Sequence, residues 1–233
     1  MDTIEQMIES IKIFSYRKPI KKDGLAIIAG SGGICGFLAD RSEEAGLPIQ
    51  DFSSTTAARL QELLPSYGTV HNPLDTTGQA RTELDIVTNV CRTILNDEGI
   101  DILLMAVSLA KSVVAPFLKP LMGRFVDVGK EYPEKLLAFL ACSTESFTPE
   151  LNDFIETHHM PILQGGRVGL SAIRHLFEYN RFLQQKKDER GITQAIDPRV
   201  REKWQKFFTN KREPLSERAA KDLLADYGIR VPH

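Results

Sequence analysis

Cysteine is scarce in this chain of 233 residues: Cys35, Cys91 and Cys142 are scattered, with no Cys-x-x-Cys pair. An odd, sparse count in apolar surroundings points to reduced thiols in a cytoplasmic protein. No apolar run reaches the roughly 18 residues that span a bilayer, and the start, Met-Asp-Thr-Ile-Glu-Gln, lacks the basic and apolar regions of a secretory signal. A net charge of −2 gives no electrostatic case for nucleic acid. No Gly-x-x-x-x-Gly-Lys-Ser/Thr stands anywhere, nor a Gly-x-Ser-x-Gly elbow, nor His-Glu-x-x-His, so P-loop, hydrolase and zincin chemistries lose their usual marks. Internal repeats and low-complexity stretches are also missing. What remains is an ordinary globular composition, 42% hydrophobic and 26% charged.

The informative stretch is Leu25-Ala-Ile-Ile-Ala-Gly-Ser-Gly-Gly-Ile-Cys-Gly-Phe-Leu-Ala-Asp40. Leu25 to Ala29 is an unbroken apolar run, the pattern of a strand buried on both faces. Gly30, Ser31, Gly32 and Gly33 form a turn of small residues, after which Ile34, Phe37 and Leu38 resume at helical spacing. Strand, glycine turn and helix together present backbone N–H groups to an anion.

Ahead of this unit, Ile4, Met7, Ile8, Ile11 and Phe14 form a helical stripe opposite Glu5, Glu9 and Lys12. A basic connector, Arg17 to Gly24, follows. Beyond the first helix, Gly46 is a stop and Leu47 to Phe52 reads as a second strand. Ser53 to Thr56 offers N-caps for a helix through Leu64, and His71 to Ala80 is irregular. Helix, strand, helix and strand then recur: 82–96, Ile102–Val107, 112–130 with Pro116 and Pro120 inside it, and Leu136–Ala141. Pro149 opens another helix, Met160 to Leu163 is the last strand, and a helix runs from Val168 to Gln185.

Five strands alternating with helices predict a doubly wound parallel sheet, with flavodoxin-like order 2-1-3-4-5. We expect three segments: an N-terminal helix and linker (1–24), the flavodoxin-like domain (25–185), and a C-terminal helical extension (186–233). In the extension Val200, Trp204, Phe207 and Phe208 share one face, and Pro214-Leu-Ser216 caps a helix ending at Gly228. The order places the topological switch between the first and third strands, where ligands of open sheets bind. Gly30–Gly33 should therefore face Ser108-Leu-Ala-Lys111-Ser112 across one crevice, with Gly30, Ser31, Gly32, Gly33, Ser108, Lys111 and Ser112 as candidate phosphate- or substrate-binding residues.

The histidines suggest no catalytic or metal role. His158-His159 point different ways at a helix end, His175 lies within a helix, and His71 alone adjoins an irregular loop. A dinucleotide fingerprint is approached by Gly30-x-Gly32 with Asp51 further on, but Cys35 stands where the third glycine should. In the loop, Asn72 precedes Pro73 and is held extended. Asp75 can accept from N–H groups at Thr76, Thr77 or Gly78, so these residues read as shaping the loop.

Three stretches together resemble one family, the NDP-forming acyl-CoA synthetases related to succinyl-CoA synthetase. Leu25 to Asp40 is similar to that family's strand, Thr-Asn-Ala-Gly-Gly-Pro-Gly turn and helix. Asn72-Pro-Leu-Asp-Thr-Thr-Gly-Gln-Ala80 resembles its Asn-Pro-x-Asp-x-x-Gly-x-Ala. Leu215-Ser-Glu-Arg-Ala-Ala-Lys-Asp-Leu-Leu-Ala-Asp-Tyr-Gly-Ile-Arg-Val-Pro232 resembles the lead-in to its ATP-grasp domain. The resemblance implies the second flavodoxin-like, CoA-ligase domain, working with a CoA-binding and phosphohistidine domain and an ATP-grasp domain or subunits. The whole enzyme would interconvert acyl-CoA, ADP and phosphate with a small carboxylic acid, CoA and ATP, with Mg. The Ser-His-x-Gly phosphohistidine motif and the ATP-grasp core are not in this sequence, so the chain alone is expected to be inactive and to bind no cofactor by itself. It departs from the family at Gly30, usually asparagine, and at Ser108 to Ser112, where relatives carry a Gly-Gly pair. A homodimer is compatible with this reading. The alternatives are a non-catalytic assembly module and a dinucleotide-binding protein.

Overall fold

A computed structural model describes residues 2–47, 49–78, 83–108, 118–142, 148–189 (187–189 by backbone only), 197–209 and 214–232. The chain divides into two compact units, Met1–Arg181 and Phe182–His233.

In the first unit the chain runs α1 (Ile4–Ser15), β1 (Leu25–Ala29), α2 (Gly32–Glu44), α3 (Ser54–Leu63), β2 (Leu74–Asp75), α4 (Leu84–Leu95) and β3 (Ile102–Val107). It continues through α5 (Leu118–Glu131), β4 (Leu136–Ala141), α6 (Pro149–His158) and β5 (Ile162–Gln164) into α7 (Gly166–Glu189). The sheet has five strands in the order β2-β1-β3-β4-β5, every pair parallel. This is the expected α/β, flavodoxin-like arrangement. β1 is buried at all five positions because helices cover both faces. Ala26, Ile28, Leu103 and Met105 join the core under α3 to α6. Leu25, Ile27, Ile102 and Leu104 join the one under α1, α2 and α7. The period-2 alternation of a strand divides adjacent residues between those cores.

β2 is not where apolar content puts a strand. Among the described residues of 47–52 none is in a strand, and the pairing partner of β1 is Leu74–Asp75. The reason is Asn72. Its Oδ1 accepts from Ile27 N (3.0 Å) and its Nδ2 donates to Leu25 O (2.7 Å), the two groups a neighbouring strand would use. The second amide proton reaches Gln50 O at 2.8 Å. One side chain thus continues the β2 ladder and ties the 47–52 segment to it.

The N-terminal helix turns its polar side inward. Its buried residues are Gln6, Glu9, Ser10 and Ile13, while Ile4, Met7, Ile8 and Ile11 are 68%, 45%, 51% and 60% exposed. The polar face goes inward because it meets the outer edge of β5, a row of backbone groups rather than an apolar surface. Lys12 Nζ donates to Ile162 O (2.9 Å), Gln164 N donates to Glu9 Oε2 (3.0 Å), and Glu9 and Lys12 pair at 2.7 Å.

Ser10 Oγ donates to Gln6 O (2.7 Å) and lies 2.9 Å from His175 Nδ1, while Arg174 Nη2 lies 3.2 Å from His175 Nε2. With the hydroxyl proton spent on Gln6, the imidazole donates from Nδ1 and accepts from Arg174 at Nε2. Protonation would forfeit the Arg174 bond and set two cations side by side. Burial, then Arg174, hold the His175 pKa below its ordinary 6.5, with Glu178 and Asp2 acting weakly in the other direction. A depressed histidine pKa means that the unfolded chain takes up the proton first. The melting temperature should therefore fall as pH drops from 7.5 towards 5, and His175→Gln should flatten that slope. Equal slopes in the two proteins would refute the assignment.

The second unit contains α8 (Pro198–Thr209) and α9 (Glu217–Asp226). Trp204 is buried within it, donating from Nε1 to Asp226 Oδ2 at 2.8 Å, with Phe207 edge-on at 5.1 Å between ring centroids. Hydrogen bonds from Lys203 and Trp204 hold the Asp226 carboxyl below the usual carboxylate range. No helix among the described residues is long and apolar enough to cross a membrane.

Candidate functional site

The crevice is built where β1 and β3 end side by side, Ile28 being paired with Met105. β1 runs into Gly30 and Ser31, the latter the N-cap of α2, and the Ser31 side chain makes no capping hydrogen bond. Ser31 O accepts from Ile34 N and Cys35 N, both at 3.1 Å. Among the described residues, the N–H groups of Gly32 and Gly33 have no acceptor. They are the orphan donors that every helix start carries, at its positive end.

Two spaces meet at this turn. On one side is an apolar cavity of about 110 Å³, with Gly30, Ser31, Thr76 and Ser108 at its polar margin and Ile28, Val87, Met105 and Leu121 among its walls. On the other is an open polar cleft lined by Gly30, Ser31, Tyr67, Gly68, Thr69, Asp75, Thr77 and Gly78. Gly30 and Ser31 form the ridge between them.

Asp75 and its neighbours hold the far wall. Asp75 Oδ1 accepts from Thr77 N at 2.8 Å, and Thr77 takes a left-handed φ of 63°. Thr76 fastens the end of β1 by donating from N (2.8 Å) and Oγ1 (3.1 Å) to Ala29 O. A Cβ on Gly32 would lie 3.2 Å from Asp75 Oδ2, so the small residue is what lets that carboxylate stand at the start of α2. Its negative charge suits the helix end and also repels any other anion there.

The structure thus brings Gly30, Ser31 and Ser108 to one cavity, with Gly32 and Gly33 as donors beside it. Asp75, Thr77 and Gly78 stand across the cleft. Lys111 and Ser112 lie outside the described residues. Sequence reasoning did not find Tyr67 and Thr69, nor Asn72 as a strand substitute. Tyr67, 70% exposed in a loop, had no pattern to mark it. Cys35, although in the first turn of α2, is no nucleophile: burial, with Asp75 and Cys142 nearby, pushes its thiol up to about 12. Among the described residues no group of three or more His, Cys, Asp or Glu could hold a metal ion.

No family model matches the chain. It is 24% identical over 241 residues to a 4-hydroxybutyrate–CoA ligase (ADP-forming) of Nitrosopumilus maritimus, a match that covers all of this chain and 32% of that enzyme. It is 30% identical over 103 residues to an acetate–CoA ligase (ADP-forming) of Archaeoglobus fulgidus, covering 44% of this chain and 14% of that one. The fold is similar to that of an acetyl-coenzyme A synthetase of Candidatus Korarchaeum cryptofilum, at a TM-score of 0.64 and 15% identity, over 80% of this chain and 40% of that one. The chain spans a third or less of the length of these two ligases. It is related to the ADP-forming acyl-CoA ligases and corresponds in extent to a domain of such an enzyme.

Proposed function

We propose that this chain is the domain of an ADP-forming acid–thiol ligase that presents the β1–β3 crevice to the phosphate or acyl group, while another domain or subunit carries the phosphohistidine. The observation that carries the reading is the pair of unused donors at Gly32 and Gly33, beside an apolar cavity at the switch point of a ligase-related sheet. Such donors are already oriented when charge arrives, so they stabilise an anion without reorganising. The apolar cavity beside them keeps water from one flank. CoA, ATP or ADP and Mg belong to the complete cytoplasmic enzyme, as do the CoA-binding and ATP-grasp partners and the small acid. Lys111 and Ser112 are proposed as further phosphate ligands. A dinucleotide role loses support because Asp51 is exposed and lies outside any strand. One observation favours a purely assembling module: Asp75 already compensates the helix end that phosphate would seek.

Phosphate titration followed by amide NMR separates the two. The Gly32 and Gly33 amides should shift with phosphate and not with chloride at matched ionic strength. Asp75→Asn should tighten that response by about two- to fivefold, while the weakened bond to Thr77 N costs about 1 kcal/mol of stability. If those amides stay still while another surface responds, the crevice is not the anion site.

A further inference from the structure

We infer that the apolar cavity receives the hydrocarbon tail of an aliphatic monocarboxylic acyl group, and that Val87 and Met105 set how long that tail can be. The inference rests on the crevice being the acyl site. Ile28 and Met105, adjacent on β1 and β3, lie one and two residues before the ends of their strands, and Val87 of α4 and Leu121 of α5 also line the space. Its volume is about 110 Å³. An apolar protein cavity of about 150 Å³ accommodates benzene, so this one suits roughly three to five aliphatic carbons.

Its chemistry discriminates as well as its size. None of the described lining residues is Lys, Arg, His, Asp or Glu, and the Thr76 hydroxyl already donates to Ala29 O. A second carboxylate carried inward, past the Ser31 and Ser108 hydroxyls at the margin, would find no cation among the described lining residues, and an unpaired buried charge is strongly disfavoured. The polar end of the ligand belongs at the rim, by Gly30 and Ser31, next to the free donors of α2.

The test uses the 233-residue chain with Met, Val and Ile methyl labels. Butyrate should shift the Met105 and Val87 methyls and saturate. With each buried methylene worth about fourfold in affinity, butyrate should bind roughly 15-fold tighter than acetate, and succinate should leave these methyls in place. Val87→Ala should move the preference towards hexanoate, with a thermal melt confirming that the variant is folded. If it is not, the butyrate-to-acetate ratio of the parent chain decides. Succinate binding as well as butyrate, or methyls indifferent to every carboxylate, overturns the inference. If phosphate still shifts the Gly32 and Gly33 amides in that case, the crevice reading survives the loss. If neither probe responds, both fall.

Discussion

Replacing Gly24 by alanine is expected to prevent the chain from reaching its native state. A Cβ at this position would stand 1.6 Å from Gly99 O, 2.6 Å from Gly99 C and 3.0 Å from Ile100 Cα. All three are backbone atoms, which have no alternative rotamer to adopt. Nor can the two segments part, because Gly24 O accepts from Asp101 N at 2.9 Å and Ile102 N at 3.0 Å, the bonds that start the β1–β3 pairing. Overpacked side chains usually cost about 1–3 kcal/mol. Here relief requires moving the central strand pair, and a loss of about 4 kcal/mol or more would consume much of a domain's stability. Gly36→Ala and Gly123→Ala are controls of identical chemistry, since a Cβ on either meets nothing within 4 Å, and both positions are helical. Urea denaturation with near-ultraviolet circular dichroism should show those two near or above the parent, and Gly24→Ala without a cooperative transition. A normal transition for Gly24→Ala would mean that the two segments are not in contact as described.

Asn72→Ala should be the costliest substitution in the irregular loop. It removes three hydrogen bonds at 2.7 to 3.0 Å and leaves Ile27 N and Leu25 O, groups of buried residues, without a partner. An unsatisfied buried backbone group costs more than a hydrogen bond contributes, so the expected loss is about 3 kcal/mol, or a melting temperature lower by roughly 10 °C. Asn72→Asp should fare no better. It keeps an acceptor for Ile27 N but turns a second oxygen towards the carbonyls of Leu25 and Gln50. Denaturant titration checks both, and a loss below about 0.5 kcal/mol for alanine, the range of ordinary surface changes, would show that water replaces the amide.

The parts of this fold that could be read in the sequence are those where burial on both faces leaves a continuous apolar run. Leu25–Ala29, Ile102–Val107 and Leu136–Ala141 are such runs, and the structure has β1, β3 and β4 at these residues. Leu74–Asp75 could not be read that way. A two-residue strand between a proline and two threonines has no period to detect, while Leu47 to Phe52 has the composition of a strand without the pairing. The N-terminal helix was legible as a helix, though not in the direction it faces. Its stripe is real, but periodicity reports only which residues share a face, and the inference that apolar means inward assumes an apolar surface to meet. At the candidate site, the glycine turn was legible because small residues between strand and helix have few other uses. The cavity beside it was not, since Val87 and Met105 are ordinary core residues until the strand ends leave a gap between them.

The contact between α1 and β5 also closes one border of the sheet. A parallel sheet has no intrinsic last strand: any exposed border offers donors and acceptors to the next extended segment, including one from another molecule. By occupying Ile162 O and Gln164 N, Lys12 and Glu9 act as a chain terminator for sheet growth. A terminator made of charged side chains is useful because a foreign strand must first displace an ion pair that water would otherwise solvate. The first sixteen residues thus cover a sheet border that would otherwise be open to strand addition.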